Sequence, residues 1–203
     1  MELLGRQSSH YTRVVRLLAH ELGVDLPLRP IHDLMARDPA AYGGNPALKL
    51  PILRMGEVHV FGTLNICRTI ARHAGRSQDV YWPEDADTPL LMNAHELLAH
   101  AMAAQVEVVL HEVVMQRPPD PASAKRRDSL LACLAWLDAQ LEPVLQAVRQ
   151  KPVSWLEPAL FALLAHIPFR NPLDIALLQR LAAFAEEFAA RPSAQATPYR
   201  FDA

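Results

Sequence analysis

The chain has 203 residues, enough for one large domain or two modest ones with real interiors. Apolar residues make up 51% and charged residues 21%, which excludes a disordered chain, and 20 Lys/Arg against 22 Asp/Glu give a net charge of −2 with no overall pull toward nucleic acid or an anionic membrane. No run of about 18 apolar residues is uninterrupted and the first residues lack a signal-peptide pattern, so a soluble, cytoplasmic protein is expected. Cys67 and Cys133 form neither a CxxC pair nor a metal knuckle and suit a reducing compartment as buried thiols.

In chain order, Glu2 to Gly5 predicts a strand, and Val15, Leu18 and Leu22 predict a helix after Ser8-Ser9-His10 that stops at Gly23. Leu26 to Ile31 predicts a second strand, and Pro51 to Met55 and Val58 to Phe61 predict a hairpin around Gly56-Glu57. Ile66, Cys67, Ile70 and Ala74 then line one helix face up to Gly75. The order β-α-β, loop, β-β-α is thioredoxin-like. Residues 79–87 read as a linker of turn formers, acids and two aromatics. Beyond it, Thr88-Pro89, Asp120-Pro121 and Asn171-Pro172 each put a capping side chain before proline at the first helical position. Ser154-Trp155-Leu156-Glu157 reads as a capping box in which Glu157 bonds back to the cap's amide. Leucine stripes over 130–148 and 178–188 predict packed helices. Charge divides at the same place, with ten Lys/Arg and six Asp/Glu in 1–78 and ten and sixteen beyond. The expected architecture is an α/β thioredoxin-like N-terminal domain (1–78), the linker (79–87) and an all-α C-terminal domain (88–203).

This layout resembles the cytosolic glutathione S-transferases, and four motifs carry the resemblance. Ser8-Ser9-His10-Tyr11-Thr12-Arg13-Val14 is similar to the zeta-class Ser-Ser-Cys-x-x-Arg-Val and to the bacterial Ser-Pro-x-x-Arg-x-Val. Asn45-Pro46-Ala47-Leu48-Lys49-Leu50-Pro51 is similar to Asn-Pro-x-x-Lys-Val-Pro, which implies a cis Pro51. Ser154 to Glu157 resembles the family's helical-domain cap, and Arg191-Pro192-Ser193 a run near many of its C-termini. Where the family has Glu/Gln-Ser before its third helix, this chain has Gly62-Thr63.

The resemblance implies glutathione as co-substrate, a small hydrophobic electrophile as partner, and a glutathione site in the first domain. Thr63 and the N–H groups of its helix terminus would take the γ-glutamyl carboxylate, beside the side-chain-less Gly62. The backbone of Leu50, before Pro51, would pair with the cysteinyl amide. Lys49 would meet the glycyl carboxylate or lie solvated. Catalysis would stabilise the thiolate of a group whose free pKa is about 8.5. A serine hydroxyl bond of roughly 1.5–3 kcal/mol lowers that pKa by about one to two units. Ser9 and Ser8 are the candidates, either being alternatively an ordinary N-cap, and His10 would carry a proton or merely end the loop. A non-catalytic ligand- or protein-binding module of the same fold is the alternative.

The run His95-Glu96-Leu97-Leu98-Ala99-His100 is not a zincin helix, because five residues turn the histidines about 140° apart. Pairs Glu96/His100 and Glu107/His111 lie about 16 Å apart along a helix, and no metal is expected. A homodimer is expected, because the helix from Thr88 carries Leu90, Leu91, Leu97, Leu98, Val106, Val109 and Val113, more than one face can bury.

Overall fold

A computed structural model describes residues 1–170 and 173–202 and divides the chain into two units, residues 1–80 with 191–203, and residues 81–190. In the first, β1 (Glu2–Gly5) leads into α1 (His10–Glu21), β2 (Leu28–Pro30), β3 (Ile52–Met55), β4 (Val58–Phe61) and α2 (Thr63–His73). The four strands form one sheet in the order β2-β1-β3-β4, with β1 parallel to β2 and antiparallel to β3, and β3 antiparallel to β4. This is the thioredoxin-like α/β arrangement. β2 is shorter than the Leu26–Ile31 run, although Pro27 O accepts from Leu3 N and Ile31 N donates to Gly5 O at its two ends.

Leu3, Ile52 and Leu53 of the sheet, Val14, Val15, Leu17 and Leu18 of α1, and Ile66 and Ile70 of α2 are fully buried. Each such side chain contributes about 1.5–3 kcal/mol on leaving water, against about 0–1 kcal/mol for a surface ion pair such as Arg76–Asp79. Apolar packing therefore holds this unit together. Both cysteines are buried free thiols whose pKa values burial raises, so neither is a ready nucleophile.

The second unit opens at Tyr81, the second residue of β5 (Val80–Tyr81). It contains α3 (Pro89–Val108), which runs on as a π turn over Val109–Val114, then α4 (Pro121–Val148), β6 (Val153–Ser154), α5 (Leu156–Arg170) and α6 (Gln179–Ala189). Two of the predicted starts are capped as the sequence indicates: Thr88 Oγ1 accepts from Leu91 N, and Asp120 accepts from Ala122 N and Ser123 N. Asn171-Pro172 lies outside the described residues. α5 is mostly apolar and occupies the core, with Leu156, Ala159, Leu160, Leu163 and Ile167 buried beside the polar Glu157 and His166. Ser154 caps the start of α5 as the sequence indicates. Ser154 Oγ accepts from Glu157 N at 3.1 Å and donates to Glu157 Oε2 at 3.2 Å, while Arg149 Nε holds Glu157 Oε1 at 3.0 Å.

The C-terminal segment returns to the first unit, a difference from the expectation that it ends the helical part. There α7 (Pro192–Ala196) packs on α1, and Ser193 Oγ donates to Glu21.

His95 of α3 is 7% exposed, lies 6.3 Å from the Tyr81 ring and 5.9 Å from Trp155, and among the described residues neither ring nitrogen has a hydrogen-bond partner. Burial pushes its pKa down to about 4. The folded state therefore prefers neutral imidazole, so this contribution to stability is complete above the unfolded pKa of about 6.5 and is lost as pH falls toward 4. The loss expected is about 3 kcal/mol. Urea unfolding from pH 7 to pH 4 is expected to show it, and His95→Phe is expected to flatten that slope.

Candidate functional site

Ile52 pairs with Leu4 on one side and Phe61 on the other. Since β1 and β4 end where β3 begins, this register gathers the segment after β1, the segment before β3 and the segment after β4 at one end of the sheet. Ser8, Ser9 and His10 follow β1; Lys49, Leu50 and Pro51 precede β3; Gly62 and Thr63 follow β4. The eight residues proposed for the glutathione site thus stand on the three segments at that end.

α1 and α2 both begin there, and neither has an acidic residue in its first turn, so the positive ends of both dipoles are left for an anion. Ser9 is the N-cap of α1, partly exposed, and its Oγ accepts from Thr12 N at 3.3 Å. An accepting hydroxyl keeps its proton to donate, so capping leaves that function intact. Ser8 is 8% exposed and His10 1%, with the His10 ring centroid 4.4 Å from that of Tyr11. His10 is an interior side chain. Thr63 opens α2 half-exposed, and Gly62 before it caps the helix with no side chain. Gly62 takes φ +85, where an L-residue is strained by about 1–3 kcal/mol, so an acidic residue does not simply fit this backbone.

The Leu50–Pro51 peptide is cis. Buried Asn45 accepts from Ala47 N at 3.0 Å and donates to Lys49 O at 2.8 Å, which closes the loop before Pro51, while the Lys49 side chain is exposed. Among the described residues no three His, Cys, Asp or Glu side chains gather where they could hold a metal.

Contacts that the sequence did not suggest come from the C-terminal segment. Asp202, its side chain 1% exposed, accepts from Gln7 N at 3.1 Å and Gln7 Nε2 at 3.2 Å, and lies 3.5 Å from Arg6 Nε. Arg13, 6% exposed, sits 4.3 Å over the Tyr199 ring and donates to Ala194 O at 3.4 Å. A separation of 195 residues leaves no local pattern by which Gln7 and Asp202 could have been matched.

Residues 8–73 match the family described as "Glutathione S-transferase, N-terminal domain". Solved structures agree over nearly the whole length. A glutathione S-transferase from Methylobacillus flagellatus with GSH bound is 20% identical, with a TM-score of 0.76, covering 98% of this chain and 99% of its own. The chain has the glutathione transferase fold. A second glutathione S-transferase of that fold, from Methylobacterium radiotolerans in complex with glutathione sulfonate, is 22% identical with a TM-score of 0.75, covering 100% and 96%. A glutathione transferase family member from Pseudomonas fluorescens Pf-5 with bound glutathione is 22% identical with a TM-score of 0.73, covering 98% of each chain. No curated protein matches the chain by sequence. The matched residues 8–73 lie within the first unit and contain the candidate site residues from Ser8 to Thr63.

The turn into α1 needs Gly5. A Cβ there would meet Thr12 Oγ1 at 2.6 Å and Thr12 Cγ2 at 2.7 Å, and Thr12 is fully buried. Gly5→Ala is expected to cost about 1–3 kcal/mol as an overpacked contact, measured by urea unfolding. Adding Thr12→Ala is expected to recover part of the loss, since it removes both atoms that clash.

Proposed function

We propose that the protein is a serine-type glutathione transferase that activates the glutathione thiol for attack on a small hydrophobic electrophile. The observation that carries this reading is the meeting, at one end of one sheet, of a hydroxyl at a helix start, a strand-edge backbone and a second helix start. The three match the three parts of the tripeptide. Thr63 and the α2 N–H groups take the γ-glutamyl carboxylate, the Leu50 backbone pairs with the cysteinyl amide, and exposed Lys49 reaches the glycyl carboxylate. Ser9 donates to the thiolate, and is preferred to Ser8 because it is the more exposed of the two and is the N-cap of α1. His10 supports the turn by packing. Relatives solved with GSH or glutathione sulfonate bound support the same ligand here.

Gly62 favours a second reading, a ligand-binding module of this fold without turnover. With no side chain beside Thr63 to meet the γ-glutamyl amine, affinity drops by roughly ten- to a hundred-fold, for about 1.5–3 kcal/mol. Calorimetric titration with glutathione followed by an assay with a generic aromatic halide separates the two. Binding with turnover supports the transferase, binding alone supports the module, and no binding at several millimolar excludes the transferase.

Within the transferase reading, two variants are expected to fail differently. Ser9→Ala is expected to raise the bound thiol's pKa by about one to two units and cut turnover at neutral pH about ten- to a hundred-fold, with glutathione affinity little changed. Thr63→Val is expected to weaken glutathione binding by about 1–3 kcal/mol while leaving the thiol pKa where it was.

The reaction belongs to the cytoplasm, where glutathione is supplied and both cysteines stay reduced. The protein acts as a homodimer. Leu91, Leu98 and Val109 of the apolar set are buried within the chain, but Leu110, Val113, Val114 and Met115 form an exposed apolar group at the π turn. Light scattering is expected to give twice the chain mass at micromolar concentration, and Val114→Asp to lower it toward the monomer. A monomeric wild type would refute the dimer.

A further inference from the structure

The turn Arg6–Ser9 delivers Ser9 to the head of α1. Its ends are joined by long bonds, with Ser9 N donating to Arg6 O at 3.2 Å, Arg6 N to Thr12 Oγ1 at 3.4 Å and Thr12 N to Ser9 Oγ at 3.3 Å. Asp202 grips the same turn from outside. Its carboxylate takes the backbone amide and side-chain amide of Gln7 and faces the Arg6 guanidinium, so among the described residues its hydrogen bonds and close ion pair fall on the two residues just before Ser8, with the Arg16 charge beyond them.

That carboxylate does not dangle from a free tail. Ser193 bonds to Glu21 near the C-terminal end of α1, Arg16 donates to Ala196 O at 3.5 Å, and Arg13 donates to Ala194 O and stacks on Tyr199. The segment is therefore tied along α1 from its last turn to its first, and it reaches Gln7 at a defined place. A buried carboxylate is tolerated only when donors satisfy it, and charge-assisted bonds are the stronger kind.

We propose that Asp202 is a positioning residue, which fixes the Arg6–Ser9 turn and through it the direction in which the Ser9 hydroxyl donates. This deepens the transferase reading and rests on it. The geometry matters because a donor displaced by about 1 Å forfeits much of what it contributes to a reacting group. Asp202 touches no substrate in this account and acts through Ser9.

The test compares Asp202→Ala, Asp202→Asn, Ser9→Ala and the double variant Ser9→Ala/Asp202→Ala. The readouts are ultraviolet titration of the thiolate of bound glutathione, and kcat and KM for glutathione against pH with an aromatic halide. Asp202→Ala is expected to raise the bound thiol's pKa by about one unit and lower kcat at neutral pH about ten-fold, with KM nearly unchanged. Asp202→Asn, which keeps an acceptor for the Gln7 amide, is expected to recover most of the shift. The double variant is expected to match Ser9→Ala alone, because the effect of Asp202 passes through that hydroxyl. Should Asp202→Ala not fold, Asp202→Ser serves in its place, being too short to bridge Gln7 and Arg6. If an Asp202 variant lowers the melting temperature but leaves the thiol pKa and pH profile at wild-type values, the segment is only a staple and the proposal is overturned. Additive shifts in the double variant overturn it too. If Ser9→Ala itself leaves the thiol pKa unchanged, or the wild type binds no glutathione, the reading beneath has failed and the proposal falls with it. A shift in Ser9→Ala without one in Asp202→Ala removes the proposal alone.

Discussion

Ile52 lies fully buried between Leu4 and Phe61, and on that pairing depends the meeting of three segments that are far apart in the chain. The register is held by what flanks it. Leu53 is buried as completely as Ile52, whereas Arg54 is exposed and paired with Glu2 at 2.8 Å, so a one-residue slip would drive a guanidinium into the core and an isoleucine out of place. Burying an unpaired charge costs far more than any loop contact at the other end could return. Ligand-facing geometry in the first unit is thus enforced from within the sheet, and the loops inherit it.

The same economy governs the helix starts. Ser9 closes the first turn of α1 with its lone pairs and keeps its proton, so one hydroxyl serves both the fold and the proposed chemistry. α2 takes the opposite solution, for Gly62 leaves the amides of its first turn without a side-chain cap. One helix start is capped by a hydroxyl oxygen that accepts and keeps its own proton to donate, and the other has no side-chain cap and leaves its N–H groups open to an acceptor, which suits a ligand bearing a thiolate and a carboxylate.

Much of this was legible in the sequence. The hairpin around Gly56, the helix faces of α1 and α2, and the starts at Thr88 and Asp120 follow from local rules of periodicity, capping and proline placement, and they fixed the fold class. The motifs around Ser9, Pro51 and Thr63 were found because each is a short run of residues. What was not legible is what depends on distant partners. His10 read either as a proton carrier or as a residue that merely ends the loop, and its 1% exposure, with its ring 4.4 Å from that of Tyr11, could not be read from the run itself. The Ser154 cap was legible, but the ion pair of Glu157 with Arg149 was not. Arg191-Pro192-Ser193 was recognisable as a motif, while its docking on Glu21, and the reach of Asp202 to Gln7, could not be read from spacing.

The chain leaves the first unit after Val80 and re-enters it at Arg191, so the helical unit is in effect an insertion within the first. On a ribosome this reverses the usual order, in which the N-terminal domain finishes first. Gln7 and Arg13 lack their partners until all of α3 to α6 has been made, and only then do Ala194, Tyr199 and Asp202 arrive to complete the unit that began the chain. The nascent protein therefore carries its front half unfinished through most of synthesis, and the turn bearing Ser9 acquires its outside support in the last dozen residues described.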